Sequence, residues 1–334
     1  MNRDGRERSS QGSRMMVALA AVALAVALLL LPRYVNTYQL YVASLWLVIA
    51  TAGLGLVMMM GWCGQMALAQ PAFVGIGAYG TVYLVGLGWP WLAAAAAASL
   101  VAAVVGIAIG LPTSRLRGFY FAIATLAFTE LIHKIFIEAK TITGGVSGKP
   151  VEPISIFGLD NDASRWYVVL AIALITAATL LRIRRISFGR RMHIIRDAQI
   201  AAPALAISPT RTKLAAFALC AFIGGLAGAG YAQTVGYVTP SSFGVSLVLQ
   251  LLVVVFVGGA SFVAGPFLGA ALVVVLRETM QDFGQWQNVV YGLSLAVAIF
   301  FLPEGLASLA VRIKRMRLGR ARAPAGVSHA KGQA

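Results

Sequence analysis

Ionisable side chains are rare in this chain, and four of them share one spacing. Glu130, His133, Lys134 and Glu138 recur at intervals of three, four and eight, which puts them on one helical face. Inside a membrane such groups mark function by default. In the outer third of their segment, however, Lys134 and Glu138 can also reach lipid headgroups. Two readings stand: an interfacial or helix-pairing role, or the lining of a polar cavity by Glu130 and His133. A proton relay lacks a second acidic residue at matching depth. Gln65, Gln70, Gln233 and Gln250 also lie in or beside apolar runs. Each must hydrogen-bond to protein, because hydrocarbon offers no partner. Helix pairing is the ordinary role for each. Gln65 adjoins a glycine-rich break and is the best pore candidate.

Other chemistry is excluded. His329 falls in the C-terminal tail and His193 in a basic loop, so His133 stands alone in the apolar sequence, with no HExxH, GxSxG or paired deep carboxylates. Cys63 and Cys220 lie in apolar runs and read as small core residues, too few for a zinc site or a disulfide framework. No catalytic, metal or cofactor site is expected. The stretch Gly144-Gly145-Val146-Ser147-Gly148-Lys149-Pro150 imitates a phosphate loop. It lacks one spacer residue and carries Pro150 where a Ser or Thr must reach magnesium. It reads as a turn, so any ATP would be hydrolysed by another chain.

The elements that carry these residues are membrane spans. The chain is 59% hydrophobic and 11% charged, against about 25% charged in a soluble domain. A span needs roughly 20 apolar residues. Ten segments qualify: Met15–Pro32, Tyr38–Met60, Leu68–Gly88, Trp89–Leu111, Gly118–Glu138, Trp166–Leu181, Leu214–Val235, Phe243–Val257, Phe262–Leu276 and Trp286–Leu302. Residues 243–276 could also form one long kinked helix, which would leave nine. The first run follows four arginines like a signal peptide, but LPRYVN replaces a cleavage site, so a retained span is expected. Ten spans put both termini in the cytoplasm, with 21 Lys/Arg in cytoplasmic pieces against 6 elsewhere. Nine would place the basic tail outside, against the positive-inside rule. The expected fold is all-α: a cytoplasmic segment 1–14, one transmembrane domain 15–310, and a basic tail 311–334. The net charge of +16 then reflects orientation and not nucleic acid.

Two glycine-rich breaks interrupt the apolar sequence, Gly61–Gly80 and Gly258–Gly269. Paired interruptions point to a transport path, and ordinary small-residue helix packing explains them equally well. The path candidates are Gln65, Gln70, Gly258, Gly259 and Glu130. The outer face carries little polar chain except loop 140–165. The inner face carries a loop, 182–213, with eight Lys/Arg. Its first half, Arg182–Arg191, reads as headgroup contact. In Met192–Ile207, residues Ile194, Ile195, Ala198, Ala201, Ala202 and Leu205 recur at helical spacing as one apolar face, which Pro203 should bend or end. Such a helix can dock in a groove on a partner or lie on anionic lipid.

Four stretches carry a family resemblance. Gly64-Gln65-Met66-Ala67-Leu68-Ala69-Gln70-Pro71-Ala72-Phe73 with Gly75-Ile76-Gly77-Ala78-Tyr79 resembles GQxSLGxAAFxGIGAY. Residues 117–128, RGFYFAIATLAF, resemble RGxYFAIxTLAF. Phe188–Leu219 resembles FGRxLxAIRxxExAAxALGI followed by KLxAF. Gly258-Gly259 with Gly265–Ala270 resembles GGxGSxxGPxxGA. Together they identify a permease subunit of branched-chain amino acid ABC importers, similar to the larger of its two paired permeases. Departures are Ala67 for Ser, Ala198 and Gln199 for acidic residues, Pro203 within the AAxALG run and Ala206 for its Gly.

The resemblance implies an inner-membrane importer with a second permease, two cytoplasmic ATPases and an outer substrate-binding protein. It implies that loop 187–207 seats in the ATPase as a coupling helix, with Arg191, Ile194, Ile195, Arg196, Asp197, Ala201, Ala202 and Leu205 as contacts. The expected cargo is a branched-chain or other hydrophobic amino acid. The alternatives are urea, short amides or aromatic acids in the same machine, or an ion-coupled secondary transporter.

Overall fold

The computed structural model describes residues 28–279, except 29, 115, 117 and 155–160, together with 292. The first and last expected spans, Met15–Pro32 and Trp286–Leu302, and the basic tail lie largely or wholly outside the described residues. Each of the eight expected spans between them corresponds to a helix. These are α1 (Thr37–Leu56), α2 (Gln70–Gly86), α3 (Trp91–Thr113), α4 (Phe119–Glu138), α5 (Asn161–Arg185), α7 (Pro209–Val235), α8 (Val245–Gly258) and α9 (Gly265–Thr279); α6 (Ser187–Ala198) lies in the basic loop. Six are long and apolar enough to cross a membrane, once α1 is extended to Trp62 and α8 begins at Pro240. The other two, α2 and α9, have 17 and 15 residues. The chain is a multi-pass, all-α membrane protein.

Helix α7 is the axis of the bundle and packs on α1, α2, α3 and α5. Its ends follow from sequence. Ser208 caps the start by accepting from the Arg211 N–H, with Pro209 in the first turn, and Gly236 ends it at φ 73°. Lipid is as apolar as a leucine side chain, so helix association here depends on close packing more than on hydrophobic burial. Glycine supplies the closeness. A Cβ on Gly77 of α2 would come 2.1 Å from the Gly225 carbonyl oxygen, and one on Gly228 would come 1.9 Å from that of Val74. Between these crossings, aromatic rings fill the space: Phe73 with Phe128 and Phe217, and Tyr79 with Phe136 and Phe243.

Residues 243–276 form two helices and not one kinked helix. The chain reverses at Gly259 (φ 104°), and α8 and α9 lie together because Gly269 meets the Val254 carbonyl where a Cβ would fall 2.0 Å from its oxygen. The expected third span is shorter than its apolar run, because residues 63–69 are not helical. Segment 144–150, expected as a turn, holds a single 3-10 turn, Gly145–Ser147, with Gly144, Gly145 and Gly148 at positive φ. It also holds a two-residue strand, Lys149–Pro150, paired antiparallel with Tyr237–Val238, which the all-α expectation did not include.

Candidate functional site

Helix α1 does not end cleanly. After Leu56 it widens into a π-helical turn, Val57–Trp62, and then unwinds over 63–69 before α2 begins. Irregular backbone at such a site must find partners within the protein. The Cys63 N–H donates to the Met58 carbonyl and the Gln65 N–H to that of Met59. Helix α4 holds the far end: the Leu68 N–H donates to Thr125 Oγ1 at 3.0 Å, and Thr129 Oγ1 donates to the Leu68 carbonyl at 2.8 Å. Single-turn π segments recur at functional sites.

Two elements converge on this break. Gly61 is buried against the second glycine-rich break, where a Cβ would fall 1.7 Å from the Ala260 carbonyl oxygen. The Arg196 guanidinium, on α6, donates to the Gly61 carbonyl. The Arg196 stem lies 3.0 Å from where a Cβ on Gly64 would stand, and Gly64 is at φ 69°. The Trp62 and His193 rings are 6.2 Å apart between centroids. The reversal at 258–261 therefore meets the first break through Ala260, while Gly258 packs on Gly265, and the basic loop lies against the first break. Sequence spacing gave no sign of this meeting.

The basic loop differs from its expected form. The helix starts at Ser187, not Met192, and ends at Ala198; a turn and a short 3-10 segment, Ala202–Leu205, follow. The apolar face expected from Ile194 to Leu205 is thus split. Met192, Ile195 and Ala202 are buried, Ile194 is half-buried, and Ala198, Ala201 and Leu205 are exposed. Helical periodicity cannot be counted across a helix end. Helix α6 ends at Ala198, five residues before Pro203, which stands in the first turn of the 3-10 segment. Arg191 and Asp197 are exposed, and Asp197 lies 4.0 Å from Arg196. Lys213 Nζ donates to Gln199 Oε1 at 3.0 Å and ties the loop to α7. Beyond α6, two large apolar side chains of the loop remain uncovered, Ile200 at 87% exposure and Leu205 at 63%. Ile200 was not expected; its signal was an isoleucine in a segment with no helical face to join. Ala206, where the resembling motif has glycine, takes the left-handed conformation at φ 57°.

Burial holds the His193 imidazole below its ordinary range, with the charges of Arg184 and Arg196 adding to the effect. Gln70 is a staple. It is 1% exposed, its Nε2 donates to the Ala52 carbonyl, and its Oε1 accepts from the Cys220 thiol. Gln65 differs: it is buried, yet neither its Oε1 nor its Nε2 has a hydrogen-bond partner among the described residues. Glu130 and His133 are half-buried on α4, next to Thr129, and Lys134 is exposed. At the opposite end, a cavity of about 350 Å³ is lined by Tyr83, Lys149, Glu152 and Gln233 among others.

The family model described as branched-chain amino acid transport system / permease component matches residues 38–302. The high-affinity branched-chain amino acid transport system permease protein LivM of Escherichia coli (strain K12) is 31% identical over 341 residues, covering 93% of this chain and 80% of that protein. LivM of Salmonella typhimurium is 30% identical over the same shares. The autoinducer 2 import system permease protein LsrC of Escherichia coli O157:H7 is 25% identical over 94% of each chain. No solved structure gives a significant match.

Proposed function

Since this chain belongs to the family of permease components of branched-chain amino acid transport systems, we propose that it forms half of the translocation path of an ATP-driven importer. Its cargo is a branched-chain or other hydrophobic amino acid. Its partners are a second permease, two cytoplasmic ATPase subunits and an outer substrate-binding protein. The seat is a bacterial inner membrane, crossed ten times with both termini in the cytoplasm. The 21-to-6 partition of Lys/Arg supports that orientation.

One observation carries the coupling role. The basic loop lies against the first break of the bundle through Arg196 and His193, buries Met192 and Ile195, and leaves Ile200 and Leu205 bare. Bare apolar side chains on an otherwise polar segment suit a groove on a partner better than water. ATP binding moves the ATPases, the loop follows, and the path opens to the other side. Because a ligand shifts an equilibrium only through its differential affinity, the loop fits the two ATPase states unequally. The relatives named for autoinducer 2 import support a second reading, in which the same machine moves another small solute.

The test is Ile200→Asp and Leu205→Asp in the complete importer. ATPase co-purification and leucine uptake should both be lost, with membrane insertion intact. Normal co-purification would refute the docking face. Leucine uptake that persists without ATP and collapses with an uncoupler would replace the importer with an ion-driven transporter.

A further inference from the structure

Arg196 joins the basic loop directly to the break that follows α1. Its guanidinium donates to the Gly61 carbonyl, and its stem covers Gly64. Gly61 lies in the π-helical turn, whose hydrogen bonds are already irregular. It is also the point at which the second break, at Ala260, touches the first. Two features mark this segment as able to rearrange. The Gln65 amide is buried with no partner on either atom among the described residues, and the Trp62 indole N–H is also buried without one. Groups so placed gain hydrogen bonds from any shift that brings a partner within reach. The segment ends on Thr125 and Thr129 of α4, the helix that carries Glu130. A displacement of α6 therefore reaches the first break through Arg196, the second through Gly61 and α4 through Leu68.

We propose that Arg196 is a transmission residue and not an ATPase contact. Its side chain is 43% exposed, but its guanidinium holds the Gly61 carbonyl, and through that bond it converts movement of the loop into rearrangement of residues 57–69 and of the reversal at 258–261. This rests on the coupling reading above and adds the route that the coupling takes. The planar fork of arginine suits this place. It can hold a carbonyl with one N–H and keep others for a second acceptor exposed by the shift, which a lysine ammonium does less well.

The experiment uses the complete importer reconstituted in proteoliposomes, with labelled leucine and the binding protein. Arg196→Ala, Arg196→Gln and Arg196→Lys are compared with Ile200→Asp. The Arg196 variants should retain the ATPases on co-purification and continue to hydrolyse ATP. Leucine moved per ATP should fall by about tenfold in the Ala and Gln variants, within the range by which residues on coupling routes act. Arg196→Lys should recover part of that loss, because one donor remains. If Arg196→Ala leaves leucine per ATP unchanged, the transmission role is overturned. If it releases the ATPases, Arg196 is a docking residue and the role is again overturned. If Ile200→Asp retains the ATPases, the docking reading fails separately, whatever the Arg196 variants do.

Discussion

Gly61→Ala tests whether contact between the two breaks matters to transport. The added Cβ would stand 1.7 Å from the Ala260 carbonyl oxygen and 2.7 Å from its carbon. Real Cβ contacts do not fall below 3.0 Å, so the two backbones must part by about 1.3 Å. Neither side has a flexible side chain to yield, since the atoms opposed are main chain. Forcing extra volume into a packed site of this kind costs about 1–3 kcal/mol. That cost falls only on the conformation in which the breaks touch. A conformation in which they separate becomes favoured by roughly 5–150-fold. If the importer alternates between such conformations, the variant is held in one, and leucine uptake drops by about tenfold or more. Gly86→Ala is the control, since nothing lies within 4 Å of its new methyl. The measurements are the thermal midpoint in detergent and uptake in proteoliposomes. Gly61→Ala with the uptake and midpoint of the parent would refute the close contact and the argument built on it.

Two further outcomes follow from the basic loop. Alanine in the left-handed conformation costs about 1–2 kcal/mol, so Ala206→Gly should tighten the loop by a net of about 0.5–1 kcal/mol after the greater chain entropy of glycine; slower proteolysis between Ala198 and Pro209 would show it, and unchanged cleavage would count against the φ of 57°. His193 has a lowered pKa, chiefly through desolvation and then through Arg184 and Arg196. The released loop thus binds the proton more readily than the seated one. The contribution of His193 to seating is fully present above the ordinary value of 6.5 and weakens as pH falls below it. Loop cleavage should rise on acidification and lose that dependence in His193→Gln; identical pH profiles for the two would exclude His193.

Much of the architecture is legible from composition alone. Each expected span between Tyr38 and Leu276 is matched by a helix, because apolar runs of that length have few other stable forms. Gly236 and Ser208 fix the ends of α7 through local geometry. The glycine-rich breaks were also visible. Whether the chain kinks or reverses over Gly258–Ser261 was not, because a glycine permits both. The reversal depends on Gly265 and Gly269 fitting against α8, which is a contact between helices. The loop shows the same limit: Ile194, Ile195 and Leu205 share a periodicity, but the chain stops being helical at Ala198.

The sequence determined what kind of molecule this is and which segments are unusual. Side-chain chemistry and spacing act over a few residues, so they specify spans, caps, turns and the polar groups that need partners. Gln65 and Gln70 look alike at that level. Only the tertiary structure separates them, by placing Ala52 and Cys220 beside one and no described hydrogen-bond partner beside the other. Likewise, Arg196 is one of eight basic residues in its loop, and Gly61 and Ala260 stand about two hundred residues apart. Their meeting is decided by how the described helices share limited space, which no local pattern contains.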